Sequence, residues 1–201
     1  MLNELLDRYP QLINCRDAIV SAGEAMIQCY KNRGKLLLCG NGGSSADCDH
    51  IVGELMKSFL LKRQISDQRL PAHLCEKLQS PLPAISLCSQ SAALSAFIND
   101  AEPSMAYAQL LYGYAQPNDL FIGMSTSGNA SNVVNAATVA KAIGIGTVAL
   151  TGERNSKLSE ICDITVRVPE TETYKIQELH LPIYHYLCAY VEAYFFGSGD
   201  L

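Results

Sequence analysis

The chain has 201 residues, of which 48% are hydrophobic and 17% are charged, and its formal net charge is −5. This composition is typical of one globular domain with a sizeable core, and it excludes an intrinsically disordered chain. The acidic balance disfavours a general nucleic-acid surface, and no apolar run approaches the roughly 18 residues of a membrane-spanning helix.

Eight cysteines are spread along the chain, with no CxxC pair and no zinc-finger spacing. Most lie in apolar or helical surroundings, where a free thiol behaves as a small hydrophobic group. The first residues, MLNELLDRYPQL, have early acidic residues and no long apolar core, which is not the pattern of a signal peptide. We therefore expect a cytoplasmic protein without membrane or nucleic-acid partners.

Residues 1–33 carry apolar residues at helical spacing, interrupted once near Pro10, and they are predicted to form a helical segment. Its apolar face could pack on its own domain or on another subunit. Short apolar runs then predict buried parallel strands. These runs are residues 35–40, 83–87, 120–124, 146–152 and 164–168.

Helical patterns alternate with these strands, and a long helix from Tyr174 to Phe196 closes the chain. The other predicted helices cover residues 44–59, 131–143 and 156–162. Such alternation predicts a single α/β domain over residues 1–201, with a five-stranded parallel sheet between two layers of helices. Residues 58–83 mix helical and loop signals around three prolines and are predicted to form a local insertion.

The first predicted strand ends in the turn GNGGSS, residues 40–45. Its three glycines permit a sharp turn and a close approach to a ligand, and Asn41 supplies an amide. The pattern is neither GK[ST] nor GxGxxG, so nucleotide binding is disfavoured. Taken singly, this turn is more simply a tight connection between a strand and a helix.

The third predicted strand ends in STSGN, which places the hydroxyls of Ser125, Thr126 and Ser127 before Gly128 and a helix that begins near Ser131. Hydroxyls and unpaired amides at a helix N-terminus can bind an anion without a lysine. We interpret this stretch as a phosphate-binding loop rather than a polar loop with a helix cap. In an open parallel sheet, both turns lie at the edge where ligands bind.

A third polar element, FIND at residues 97–100, follows another helical segment. Its Asn99 and Asp100 are candidates for holding sugar hydroxyls.

Two predicted helices carry side chains that could ligate a metal. His50 and Glu54 are four residues apart and share one helix face, while Gln177 and His185 lie on the last helix. This mixed nitrogen and oxygen set suits Zn²⁺ or another borderline divalent metal. Gln177 and His185 are ~12 Å apart along a regular helix. Both reach one ion only if it lies between them, if the helix is irregular, or if two subunits contribute.

The same residue types predict a reaction. A carboxylate beside a histidine and a Lewis acid can move a proton between adjacent carbons of an open-chain ketose phosphate. One group removes the proton while the other group or the metal stabilises the enediolate. A bound phosphate fixes the orientation of the substrate.

Taken together, these motifs resemble the sugar isomerase (SIS) domain family and, within it, the bacterial phosphoheptose isomerases. The resemblance rests on CGNGGSxAD…H…E, IND, STSGN, VALTG, TVRVP and IQE.H….H, which follow one another in this order over most of the chain. It implies a flavodoxin-like αβα sandwich with extra N-terminal helices and a long C-terminal helix. It also implies a homotetramer with active sites between subunits and isomerisation through an enediol.

The resemblance further implies a role for individual residues. Glu54 and His185 would be the catalytic acid/base pair, with Glu178 and His180 in support. The substrate-binding residues would be Asn41, Gly42, Gly43, Glu54, Asn99, Asp100, Ser125, Thr126, Ser127 and Gln177. The metal ligands, with zinc as the implied ion, would be His50, Glu54, Gln177 and His185.

Two departures bear on the substrate. The family's phosphate loop continues SGNS, whereas Ala130 stands at that serine here, and residues 55–83 differ from the pattern. The first hypothesis is an isomerase that converts sedoheptulose 7-phosphate to D-glycero-D-manno-heptose 7-phosphate. The alternatives are a non-catalytic SIS module that binds a phosphosugar or a protein, and an isomerase of a different phosphosugar. Non-catalytic relatives lose the helix Glu and the last His, so Glu54 and His185 favour an enzyme.

Overall fold

A computed structural model describes residues 1–197, and its centre is one parallel sheet of five strands in the order β2-β1-β3-β4-β5. The strands are β1 (Leu36–Gly40), β2 (Ala84–Ser86), β3 (Leu120–Met124), β4 (Gly146–Thr151) and β5 (Ile164–Arg167). β1 pairs with β3 in a register that sets Leu38 beside Ile122. The predicted five-stranded parallel sheet is confirmed.

Helices cover both faces of the sheet. They are α1 (Leu2–Arg8), α2 (Arg16–Lys31), α3 (Gly43–Met56), α4 (Ala72–Cys75), α5 (Ser91–Asp100), α6 (Ala106–Tyr114), α7 (Ser131–Ala142), α8 (Lys157–Ile161) and α9 (Thr173–Phe196). Because side chains alternate along a strand, Leu36 and Leu38 pack with α2, α3 and α9, while Leu37 packs with α6 and α7. The result is the predicted αβα sandwich.

The N-terminal helical segment packs on its own chain. A 3₁₀ helix over Pro10–Cys15 separates α1 from α2, at the proline where the sequence predicts a break. Ile19 and Met26 of α2 are buried in the core that α9 also joins. This burial answers the question that the sequence left open for α2.

Two elements differ from the sequence prediction, the end of α3 and the helix α6. α3 ends at Met56 and not near Phe59, because Lys57 adopts an extended conformation. Residues 58–83 contain one short helix, α4, and an isolated antiparallel bridge between Gln64 and Gln79. The sequence pattern did not predict α6, which follows α5 between β2 and β3.

The topology determines where a ligand can bind. β1 is followed by β2 on one side of the sheet and is paired with β3 on the other, so the strand order reverses beside β1. Ligands bind beyond the carboxyl ends of the strands at such a point. The turns after β1 and β3 meet there. Within residues 1–197, no helix has the length and apolar character needed to cross a bilayer.

Candidate active site

The turn after β1 owes its shape to a glycine and is tied to the neighbouring turn. Gly42 has φ +57°, a left-handed conformation that side chains with a Cβ disfavour. The exposed Asn41 exchanges two hydrogen bonds of 2.9 Å with Asn132, in the first turn of α7. The two ligand-binding turns are therefore held side by side.

The turn after β3 is built around a second left-handed glycine. Gly128 has φ +64°, and a Cβ at this position would lie 2.0 Å from Oγ of Ser156. Ser125 is buried and pairs its backbone N–H with Leu150, which anchors the start of the turn to β4. The hydroxyls of residues 125–127 are thus carried on a fixed backbone.

These two turns and the start of α9 enclose a cavity of about 150 Å³. Its lining comprises Asn41, Ser44, Met124, Ser125, Thr126, Ser127, Ala130, Thr173 and Gln177. In the part of the chain that the structure describes, no side chain at the N-cap position of α3 or α7 accepts a hydrogen bond from the helix. Hydroxyls and helix N-termini suit an anion such as a phosphate.

Three of the predicted acid/base and metal residues come together between α3 and α9. Nε2 of His50 lies 3.2 Å from Oε1 of Glu54 and 3.4 Å from Nε2 of His185. The His50 side chain is 42% exposed and that of Glu54 is 13% exposed. Nζ of Lys57 lies 3.3 Å from the other Glu54 oxygen. A substrate can therefore reach the group.

Two side chains that the sequence reasoning missed support this group. The hydroxyl of Tyr184 donates to Asp47 over 3.0 Å and lies 3.1 Å from Nδ1 of His50. Burial raises the pKa of Asp47 and lowers the pKa of His185. The lowered pKa keeps His185 neutral at neutral pH, so that its imidazole can accept a proton. The spacing of Asp47 three residues before His50 was the available signal.

The types of donor atom in this group suit a metal ion, but their arrangement in the structure does not. Two imidazoles and a carboxylate are ligand types that a borderline divalent metal prefers. As the side chains stand, however, both ring nitrogens of His50 face hydrogen-bonding partners. Within residues 1–197, no group of three or more His, Cys, Asp or Glu side chains is arranged to hold an ion.

The remaining predicted site residues lie apart from this group. Gln177 lines the cavity beside the hydroxyl turn, where its Nε2 lies 3.4 Å from Oγ of Ser44. α9 is one continuous helix, so Gln177 and His185 are two turns apart on it. Asn99 and Asp100 are exposed at the end of α5 and hydrogen-bond to each other.

The two residues expected in support also differ in placement. Glu178 is exposed on α9. His180 is fully buried, with Nε2 3.3 Å from the carbonyl oxygen of Thr151. Burial lowers the pKa of His180 to about 4, so this imidazole is neutral and belongs to the core.

An open parallel sheet with an uncharged, hydroxyl-lined cavity at its switch point is typical of α/β domains that bind phosphorylated ligands. Within that class, the chain belongs to the SIS domain family, whose model matches residues 3–152.

Relatives cover nearly the whole chain. The phosphoheptose isomerase of Rhodospirillum rubrum is 33% identical over 92% of this chain and 90% of its own. That of Helicobacter hepaticus is 35% identical over 95% of this chain and 89% of its own. The structure of phosphoheptose isomerase GmhA from Neisseria gonorrhoeae superposes with a TM-score of 0.75, at 27% identity, over 95% of this chain and 98% of that one. The predicted resemblance to phosphoheptose isomerases is confirmed.

Proposed function

We propose that this protein is an aldose–ketose isomerase of a sugar phosphate, and that its substrate pair is sedoheptulose 7-phosphate and D-glycero-D-manno-heptose 7-phosphate. The relatives named phosphoheptose isomerase support the reaction class. The observation that carries the proposal is the meeting of Glu54 and His185 at His50, two helical turns along α9 from the hydroxyl-lined cavity.

The geometry supports one direction of substrate binding. A phosphate in the cavity would accept hydrogen bonds from residues 125–127 and from backbone N–H groups at the start of α3 and α7. Gln177 and His185 are separated by ~12 Å along α9. That separation suits a substrate with its phosphate and its reacting carbons at opposite ends. The part of the sugar between these two ends is proposed to bind Asn41, Gly42, Gly43, Asn99 and Asp100.

The proposed chemistry is a proton transfer between C1 and C2 of the open-chain sugar. Glu54 takes the proton from C1 of the ketose, the C1–C2 bond becomes an enediol, and the proton returns to C2 to give the aldose. His185, with its lowered pKa, moves a second proton, from the hydroxyl on C1 to the oxygen on C2. No atom is gained or lost.

We also propose that His50, Glu54 and His185 hold a divalent ion, Zn²⁺, with Gln177 as a candidate fourth ligand. The convergence of two imidazoles and a carboxylate supports this ligand set. Gln177 would have to leave Ser44 to join the three, or act from another subunit. When bound, the ion would supply Lewis-acid stabilisation of the developing oxygen charge.

We propose a homotetramer with active sites between subunits. His185 borders a hollow of about 450 Å³ formed by α1, Phe59 and Leu60 and the start of the second half of α9. Leu60 is 66% exposed and Leu181 is 40% exposed beside it. Apolar side chains at the rim of a hollow support an interface with a further subunit. Light scattering of the protein and of Leu60→Glu would test this.

The single domain over residues 1–201 and the cytoplasmic location also remain proposals. The matched family model and the shared core of α2 and α9 support one domain, of which residues 198–201 lie outside the described part. The eight cysteines, all free, support a reducing compartment.

The test is turnover of sedoheptulose 7-phosphate by the purified protein, with Glu54→Gln beside it and Glu24→Gln, an exposed carboxylate on α2, as the matched control. We expect conversion by the protein and the control, and a loss of at least about 100-fold in Glu54→Gln. Ala130 in the cavity lining favours the second candidate, another phosphosugar. Turnover of such a sugar alone would support it, and binding without any turnover would support a regulatory module.

A further inference from the structure

A charged pair lies buried behind the proposed active site, outside the set of residues assigned so far. Nε of Arg63 donates to Oε1 of Glu192 over 2.7 Å, and both side chains have no solvent exposure. Burying two charges carries a desolvation cost that their attraction often only balances, and apolar residues of similar size are often as stable. Stability alone is therefore a weak explanation for this pair.

Glu192 organises the chain that follows α3. Its carboxylate accepts the backbone N–H groups of Phe59, Leu60 and Leu61, at 2.8, 2.6 and 3.0 Å. Burial acts to raise the pKa of Glu192, but the hydrogen bonds from these amides and from Arg63 outweigh it and hold the pKa below its usual range. The charged carboxylate thus fixes residues 59–61 against α9.

Arg63 holds the end of the helix that carries Glu54. Its Nη1 donates to the carbonyl oxygen of Leu55 over 2.7 Å, and its Nη2 donates to the carbonyl oxygen of Glu54 itself over 3.2 Å. The last carbonyls of a helix have no partner within the helix, and a cation there is favourable. Arg63 therefore fixes the backbone from which the Glu54 side chain projects.

The buried Arg63–Glu192 pair is also linked to His185, the second residue of the proposed acid/base pair. Glu192 is seven residues after His185 on α9, so both lie on one face of the helix, two turns apart. Phe59, held by Glu192, packs its ring against His185 with 5.8 Å between the ring centroids. One buried pair thus contacts the backbone of Glu54 and, through Phe59, the ring of His185.

We propose that Arg63 and Glu192 are positioning residues of the isomerase, which set the placement of Glu54 relative to His185. This inference rests on the proposed function for its catalytic meaning. Neither residue touches the substrate, and no proton passes through the pair. Its consequence is that a change in the pair should lower turnover without a comparable change in the binding of the phosphate, which the turns after β1 and β3 are proposed to contact.

The chain offers a matched control at the opposite edge of the sheet. Asp119, nearly buried, accepts the backbone N–H groups of Lys35 and Gln116 and the ammonium of Lys35. It repeats the chemistry of Glu192 at the amino ends of β1 and β3, away from the site. Asp119→Asn and Glu192→Gln therefore remove the same kind of charge in different places.

The experiment measures kcat and KM of both variants and records the imidazole C–H resonances of the four histidines by NMR. We expect kcat of Glu192→Gln to fall by at least about 10-fold, because a displacement near 1 Å can cost about 100-fold. KM should stay within about twofold, since phosphate binding is separate. Asp119→Asn should keep kcat within about twofold of the original protein, with a comparable loss of stability.

The NMR spectrum tests the positioning without any turnover. In Glu192→Gln the signals of His185 and His50 should shift, while that of His180, buried on the same helix, should stay. If the original protein has no isomerase activity, the proposed function fails and the spectrum alone decides this inference. If Glu192→Gln does not fold, Arg63→Lys replaces it, since one ammonium cannot serve Glu192, Leu55 and Glu54 together.

Three results would overturn the inference. They are an unchanged kcat in a folded variant of the pair, an unmoved His185 signal, and an equal fall of kcat in Asp119→Asn at equal stability.

Discussion

At the scale of single residues, Tyr184 lies behind the proposed acid/base pair without being part of it. Its hydroxyl contacts both Asp47 and His50, and so it links α9 to α3 beside the proposed acid/base pair. A hydrogen bond to one ring nitrogen selects the tautomer and orientation of an imidazole. The hydrogen bond between Tyr184 and Nδ1 therefore orients the imidazole ring of His50.

Removing this hydroxyl should impair catalysis more than folding. For Tyr184→Phe we expect kcat to fall by about 10-fold, as loss of such outer contacts commonly costs 10–100-fold. The free energy of unfolding should fall by about 1 kcal/mol. Steady-state kinetics and urea unfolding measure the two effects, with Tyr112→Phe, an exposed tyrosine on α6, as the control. An unchanged kcat would show that Tyr184 does not orient His50.

His180 makes the stability of the fold depend on pH. Burial lowers its pKa to about 4 from an ordinary 6.5, so between these values the unfolded chain binds a proton that the folded chain does not. Its contribution is present above about pH 6.5 and is lost as the pH falls toward 4, by about 3 kcal/mol in all.

Urea unfolding across this pH range measures the loss. The slope of stability against pH should flatten in His180→Gln and persist in His73→Gln, which changes an exposed histidine. Equal slopes in the original protein and His180→Gln would contradict the assignment.

At the scale of elements, the start of α7 is both a helix terminus and a wall of the anion cavity. Ala130 occupies the cap position, and its methyl side chain cannot accept a hydrogen bond from the first turn. It also lines the cavity beside residues 125–127. One substitution at this position therefore acts on helix stability and on anion binding together.

Ala130→Ser should strengthen both. A serine cap is worth about 1 kcal/mol over alanine, so the free energy of unfolding should rise by that order. The added hydroxyl should also lower the inhibition constant of inorganic phosphate several-fold. Thermal unfolding and competition by phosphate measure the two effects, with Ala142→Ser at the far end of α7 as the control. A loss of phosphate affinity would mean that residue 130 does not face the anion.

The comparison of sequence and structure is also clearest for elements. The strands were predictable because short apolar runs between glycine turns are local signals, and the hydroxyl turn after β3 carried its own chemistry. The end of α3 was not predictable from the sequence, because the pattern of residues 56–59 continues to suit a helix. The chain leaves the helix there while Glu192, more than 130 residues away in sequence, binds the next amides.

Dependence on tertiary contacts also limited how much of the candidate site could be predicted from the sequence. Spacing on one helix brought out His50 and Glu54, but no local signal places Tyr184 against Asp47, since the contact exists only when α3 and α9 pack. The separation of Gln177 from His185 followed from helix geometry alone. Which of the two would join His50 required the tertiary structure.

At the scale of the whole molecule, the proposed reaction site and the proposed anion cavity are joined by α9, which also forms part of the core. The cavity lies at its first turn and His185 lies in its middle. A ligand that bridges α3 and α9 should therefore stabilise the entire fold, because it binds only the assembled pair of helices.

Zinc provides that test. At a free concentration 100-fold above its dissociation constant, Zn²⁺ should add about 2.7 kcal/mol to the free energy of unfolding. A chelator should reverse the gain. His50→Ala should abolish it, whereas His73→Ala, which alters a histidine outside the group, should keep it. A gain that survives in His50→Ala would move the ion away from the proposed ligands.

The central claim is that Glu54 moves a proton between C1 and C2 of a sugar phosphate, while His185 moves a proton between the oxygens on these two carbons. The most direct measurement incubates the protein with sedoheptulose 7-phosphate in deuterated water and follows C1 and C2 by NMR. We predict an aldoheptose phosphate that carries solvent deuterium at C2, and neither product nor label with Glu54→Gln. Sugar that returns from the native protein unconverted and unlabelled would contradict the account.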